Sequence, residues 1–233
     1  GYDFVNKTGG MADFNGHGTH CAGIAAAVGN NGIGITGANP DALIMPITVM
    51  QSDGTGDVAT IIKGIDYAAA NGADVISMSL GGYQHSIAEE QALGKAYATA
   101  VIVAAAGNDN RDIIEMHPMC VRYHCFPGAF KFVIGVMATE ELGVKVGFSN
   151  YDSDGPHFSE YDPEGPTFFG DYYNYDIAAP GVNIMSTFLN GTYREMSGTS
   201  MSTPLVAGAL SRLLQCRTFS SQENCQGLLI QTR

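Results

Sequence analysis

A histidine framed by glycines, a serine in a Gly-Thr-Ser turn and an asparagine closing an apolar run are the residues of this chain best equipped for chemistry. His17 stands in Asn15-Gly16-His17-Gly18-Thr19-His20-Cys21-Ala22-Gly23, whose glycines let another backbone pass close to the imidazole. Ser200 stands in Gly198-Thr199-Ser200-Met201-Ser202-Thr203-Pro204, a tight turn leading into an apolar helix. Alone, each has an ordinary reading: a serine at a helix start is usually a cap, and a lone imidazole is usually structural. Together they are the parts of acyl transfer, in which an imidazole takes the serine proton, N–H donors hold the oxyanion, and chain order is free to vary. Ala104-Ala105-Ala106-Gly107-Asn108 supplies a donor, because a strand ending in Gly-Asn presents Asn108 at the C-terminal sheet edge where ligands of open α/β sheets bind. His17 and His20, three residues apart, also have a chelating spacing. No Glu lies between them as in the zinc-protease helix motif, and a metal site leaves the Gly-Thr-Ser turn unexplained.

Positioning these groups requires a parallel sheet. Four near-continuous apolar runs, 42–50, 73–80, 100–106 and 131–138, have strand length and the composition of strands buried on both faces. Residues 57–71 and 86–98, between successive runs, have helical spacing, and Asn71-Gly72 provides a stop. The alternation predicts an α/β fold with right-handed crossovers. Residues 17–28 and 200–214 read as helices rich in small residues, suited to close burial, with Pro204 tolerated in a first turn. Asn190-Gly191 between 182–188 and 192–196 predicts a hairpin, and Ser220-x-x-Glu223 caps a final helix over 221–231.

The chain has 233 residues, 45% of them hydrophobic and 15% charged, enough apolar content for one globular core and short for two. A net charge of −12 excludes a generic phosphate-binding surface, so neither nucleic acid nor an anionic membrane is expected as a partner. No apolar run approaches the ~20 residues of a membrane span, and residues 1–30 lack the layout of a signal peptide. Residues 150–176 break the pattern, carrying seven acids without Lys or Arg amid aromatics and prolines. They read as a loop insertion, either a solvated surface loop or a calcium or substrate contact. Five cysteines allow two local pairs, Cys120 with Cys125 and Cys216 with Cys225, as disulfides of an oxidising compartment; reduced surface thiols are the alternative, and zinc fits the spacing less well. Cys21 reads as a small hydrophobe on a buried helix, and Met201 beside Ser200 as an oxidation site.

The segments NGHGTHCAGIAAA, DVISMSLGG, VIVAAAGN, VIGVMAT, FSNY and AAPGVNIMSTFLNGTYREMSGTSMSTPLVAG occur in the order and at the spacing of the subtilisin-like serine proteases, which the chain resembles over nearly its whole length. The resemblance implies a three-layer sandwich, a parallel sheet with helices on both faces. It implies a secreted endopeptidase cutting polypeptides, with a propeptide or inhibitor among its partners. His17 is then the general base, Ser200 the nucleophile, Asn108 an oxyanion donor and His20 the family's structural histidine. Gly54-Thr55-Gly56 and Ser79-Leu80-Gly81 match the segments that clasp an extended peptide, Ala106 and Gly107 line the primary pocket, and Val58 a more distal one. No acid adjoins Ser79-Leu80-Gly81, so strict cleavage after basic residues is not expected.

The chain departs from the family pattern in one respect. The catalytic aspartate belongs to an Asp-Thr-Gly or Asp-Ser-Gly turn upstream of Gly1-Tyr2-Asp3, and neither Asp3 nor Asp13 lies in such a turn. The expectation is a single partial catalytic domain over 1–233, incomplete at both ends, nearly inactive alone and part of an active parent. A catalytically dead peptide-binding pseudoenzyme is the alternative. No cofactor is required for the chemistry. Val28-Gly29-Asn30-Asn31-Gly32-Ile33-Gly34-Ile35 resembles the loop by which many family members bind calcium, with Asn31, Ile33 and Ile35 as contributors to a structural ion and an upstream aspartate again lacking; an ordinary Asn-Asn-Gly loop is the alternative.

Overall fold

The computed structural model describes residues 1–9, 12–113, 124–153 and 174–215. Four parallel strands form the main sheet in the order β3-β4-β5-β6: β3 is Val75–Met78, β4 Val101–Ala105, β5 Ile134–Thr139 and β6 Ile177–Pro180. Every residue of β4 is buried, which is why its sequence reads as unbroken Val-Ile-Val-Ala-Ala. Its side chains alternate between two cores. Ile102, Ala104 and Ala106 join the cluster built on Ile61, Ile65, Leu93 and Phe130, while Val101 and Val103 join Ile134, Val136, Val206, Ala207 and Leu210.

The first cluster is covered by α2, Val58–Ala70, and α3, Ile87–Ala96, whose N-termini are capped by the side chains of Asp57 and Ser86. The second is covered by α4, Thr199–Gln215, which packs across all four strands and against α1, His17–Ala26. Helices therefore lie on both faces of the sheet, the expected three-layer arrangement. Gly208 makes the α1–α4 contact possible: a Cβ there would come within 2.7 Å of both the Ala25 carbonyl oxygen and Ala38 Cβ.

An antiparallel hairpin, β7 (Ile184–Phe188) with β8 (Thr192–Met196), turns through Asn190 and Gly191 at φ of 59° and 69°, as the Asn-Gly pair predicts. The hairpin braces α1. Ser186 Oγ donates to the His20 carbonyl at 2.7 Å, Thr187 Oγ1 donates to the Thr19 carbonyl at 2.9 Å, and His20 Nε2 bonds the Arg194 carbonyl at 2.8 Å.

A second small sheet differs from expectation. The run 42–50 yields only β2, Ile47–Thr48, parallel to β1, Tyr2–Asp3. Pro46 interrupts the run and has no N–H to donate, and Leu43 is 98% exposed. Among the described residues β2 pairs only with β1 and β3 only with β4, so the parallel strands fall into two separate sheets. Most of the acidic segment 150–176 and the helix expected over 221–231 lie outside the described residues.

Candidate active site

His17 opens α1. The turn before it requires Gly16, whose φ of 93° is left-handed and whose Cβ would meet the Phe188 ring at 2.4 Å. The Asp13 carboxylate ties this turn together, accepting from the backbone N–H of Asn15 at 2.9 Å, of Gly16 at 2.8 Å and of Thr19 at 2.8 Å, and from Thr19 Oγ1 at 2.7 Å. Burial alone would raise the Asp13 pKa, but these hydrogen bonds outweigh it and hold the carboxyl below its ordinary value. His17 is depressed, chiefly by burial and then by neighbouring His20, with Asp13 pulling the other way. A neutral imidazole, the form that accepts a proton, is therefore favoured.

Cys21 lies one turn along α1, between the two other groups. Its Sγ is 4.0 Å from His17 Nδ1, and its thiol donates to the Ser200 carbonyl at 3.4 Å. Burial pushes that thiol up to about 11, so it packs as the expected small hydrophobe. His20 is fully buried, and its Nδ1 has no hydrogen-bond partner among the described residues.

Ser200 sits in the first turn of α4, which carries no acidic side chain. Gly198 before it has φ of 155°, beyond the ordinary reach of a side-chain residue. Ser200 Oγ makes a long bond to the Ser79 carbonyl at 3.4 Å, and Ser79 Oγ answers with a 2.8 Å bond to the Ser200 carbonyl. Among the described residues no hydrogen bond joins Ser200 to His17. Their common neighbour Cys21 nevertheless brings α1 and the start of α4 to one place.

The asparagine completes the group. Asn108 Oδ1 accepts from Thr199 N at 2.9 Å and from Thr199 Oγ1 at 3.0 Å, and Thr199 Oγ1 in turn accepts from Gly107 N at 3.2 Å. With Oδ1 engaged, Nδ2 makes no bond among the described residues, and it lies 3.5 Å from where a Cβ on Gly198 would stand.

The family model for the subtilase family matches residues 1–233, the entire chain. This chain is a subtilase. It is 39% identical over 214 residues to thermitase of Thermoactinomyces vulgaris, an alignment covering 91% of this chain and 66% of that protein. With subtilisin DY of Bacillus licheniformis it shares 34% identity over 214 residues, covering 92% and 69% respectively. Its structure superposes on the crystal structure of a cold adapted subtilisin-like serine proteinase with a TM-score of 0.78 at 31% identity, spanning 98% of this chain and 72% of the other. The subtilase thus spans about two thirds of the length of these relatives.

The expected peptide-clasping segments border the same group in this subtilase. Ser79, Leu80 and Gly81 leave the end of β3, and neighbouring Gly82 pairs with Phe126 through bonds of 2.9 and 2.8 Å. Gly54, Thr55 and Gly56 form an exposed turn in which Gly56 bridges to Met50, and Asn15 Nδ2 donates to the Ser52 carbonyl at 2.9 Å, tying this turn to the one before His17. Val58 is 39% exposed at the start of α2. Gly107 carries φ of 101°, while Ala106 is fully buried behind it in the core.

Two residues of the site, Thr199 and Asn150, are not singled out by sequence reading, and Cys125 is read there only as half of a bridge. Cys125, expected in a bridge to Cys120, is a free thiol 4% exposed. Its Sγ occupies the space that side chains on Gly81 and Gly107 would need, 2.7 and 3.0 Å from the respective Cβ positions. Burial is the main cause that pushes it up to about 12. Cys120, Cys216 and Cys225 lie outside the described residues.

The calcium loop does not fit an ion with these residues alone. Asn31 Oδ1 accepts from Ile33 N at 3.0 Å, Ile33 is 67% exposed, and among the described residues no three His, Cys, Asp or Glu gather as a metal site. One amide oxygen and two carbonyls fall short of the six to eight oxygens calcium takes. No described helix is long and apolar enough to cross a membrane.

Proposed function

We propose that this subtilase is the larger part of a serine endopeptidase domain. The observation that carries the reading is the Thr199–Asn108 pair: one end of the Asn108 amide is immobilised and the other, an N–H donor, is left open beside Ser200. Peptide binding alone needs no such donor. In the reaction Ser200 Oγ attacks the scissile carbonyl carbon while His17 removes its proton, and the oxyanion is held by Asn108 Nδ2 and the Ser200 backbone N–H. Collapse breaks the C–N bond, and the proton on His17 passes to the leaving amine. Water, deprotonated by His17, then releases the acyl group and restores the Ser200 hydroxyl.

A triad needs a carboxylate on His17 Nδ1, and among the described residues that atom has the Cys21 sulfur at 4.0 Å as its hydrogen-bond neighbour. We assign that carboxylate to an aspartate on an upstream strand lying between β2 and β3. The edges that these strands leave unpaired among the described residues support the assignment. Without it turnover falls by about 3 × 10⁴, the loss measured for the aspartate in subtilisin. Polypeptide substrates and action outside the cell belong to the same proposal. A peptide-binding protein without catalysis is the second reading, favoured only by the absence of a bond between Ser200 and His17.

The test is to express the gene with its flanking coding sequence and treat the folded, processed protein with a fluorescent phosphonate. Labelling at Ser200 that disappears in His17→Ala supports the peptidase. A folded protein that takes no label is the binding protein.

A further inference from the structure

We infer that Asn150 is a positioning residue for the oxyanion donor Asn108, an inference that rests on the peptidase reading. Asn150 is fully buried, and its primary amide uses all of its hydrogen-bonding capacity on one stretch of chain and one neighbour. Oδ1 accepts from Asp109 N at 3.0 Å and Arg111 N at 2.9 Å. Nδ2 donates to the Ala106 carbonyl at 2.8 Å and to the Tyr83 hydroxyl oxygen at 3.0 Å. Its own backbone N–H donates to the Gly107 carbonyl at 3.0 Å. Residues 106, 107, 109 and 111 are thereby held from one point, and Asn108 is flanked on both sides by residues so held.

The segment needs such a clamp. Past β4 it leaves the sheet, Asn108, Asp109 and Asn110 are exposed, and it contains two left-handed residues, Gly107 at φ 101° and Asn110 at φ 53°. The clamp is itself anchored to β5. Ser149 Oγ accepts from Ala138 N at 2.8 Å and donates to the Asn150 carbonyl at 2.7 Å. Thr199 fixes the rotation of the Asn108 amide, and Asn150 fixes the backbone that carries it. An oxyanion donor works only when aimed where charge develops, and a displacement of about 1 Å at a reacting centre costs on the order of a hundredfold.

Aspartate at 150 has nearly the same volume and still accepts from Asp109 and Arg111, but it cannot donate to the Ala106 carbonyl. Steady-state cleavage of a chromogenic peptide by the intact protein is measured for Asn150→Asp and Asn150→Ala, each alone and combined with Asn108→Ala. The expected result is a kcat lower by about ten- to a hundredfold with KM within about twofold, and a loss below about threefold once Asn108 is already alanine. An equal loss in both backgrounds, or a loss residing in KM, overturns the inference. Hydrogen exchange at the Asp109 and Arg111 amides is followed in the same variants, and in the uncombined Asn108→Ala. Faster exchange confined to Asn150→Ala supports the clamp, and unchanged protection in that variant overturns it whether or not the protein is active. Should Asn108→Ala alone leave kcat intact, the oxyanion assignment fails instead, and exchange still decides the role of Asn150.

Discussion

Thr199 grips Asn108 twice on a single oxygen, with its N–H at 2.9 Å and its hydroxyl at 3.0 Å both pointing at Oδ1. The hydroxyl also receives the Gly107 N–H, so one side chain links the start of α4 to the end of β4. Thr199→Val keeps the shape and removes both roles of the hydroxyl. In the intact protein it should lower kcat by about tenfold and leave KM unchanged, read from steady-state cleavage of a peptide substrate.

The pH dependence should respond to Asp13. Burial and then His20 lower the His17 pKa while the Asp13 charge raises it, so Asp13→Asn should move the acid limb of kcat/KM to lower pH. Because the folded pKa of His17 is depressed, its stabilising contribution is present above the unfolded value of about 6.5 and is lost as pH falls below it. The variant also gives up charge-assisted bonds to the first turn of α1, at a cost of about 2 kcal/mol, seen as a lower Tm. An acid limb that stays in place would show that Asp13 does not reach His17 electrostatically.

Close packing of α1 against α4 sets a third expectation. A Cβ on Gly208 would meet the Ala25 carbonyl oxygen and the Ala38 methyl, each at 2.7 Å, and backbone cannot yield as a side-chain tip can. Gly208→Ala should therefore destabilise by about 1–3 kcal/mol despite its better helix propensity, measured by denaturant unfolding.

Two thiols should prove inert. Cys21 and Cys125 are pushed up to about 11 and about 12, mainly by burial. Iodoacetamide at pH 8 should modify neither in the folded protein and both after denaturation, as mass spectrometry would show. Labelling of Cys125 in the native protein would mean that the floor beneath Gly81 and Gly107 opens.

Legibility followed the range of the interactions. β4 could be read because a strand buried on both faces has no polar positions, and the Asn190-Gly191 turn because its left-handed φ values select those residues. β6 escaped, being four residues long and ending at Pro180 after an acidic stretch. Hydropathy alone places residues 42–46 in a strand, although Pro46 cannot donate to a ladder and Leu43 faces solvent. His17, Ser200 and Asn108 stand in recognisable motifs. Thr199 and Asn150 do their work across 91 and 41 residues of chain, through bonds that leave no periodic trace in the sequence.

The bare first turn of α4 has one more consequence. A helix gathers about half a positive charge at its N-terminus, and acidic side chains commonly neutralise it. Here none does: the Thr199 N–H is spent on Asn108 Oδ1, and on the proposed peptidase reading the Ser200 N–H is the one aimed at the reacting carbonyl. On that reading the negative charge that balances this 17-residue helix arrives only as the carbonyl oxygen takes it on, so the substrate in transit serves as the missing anion.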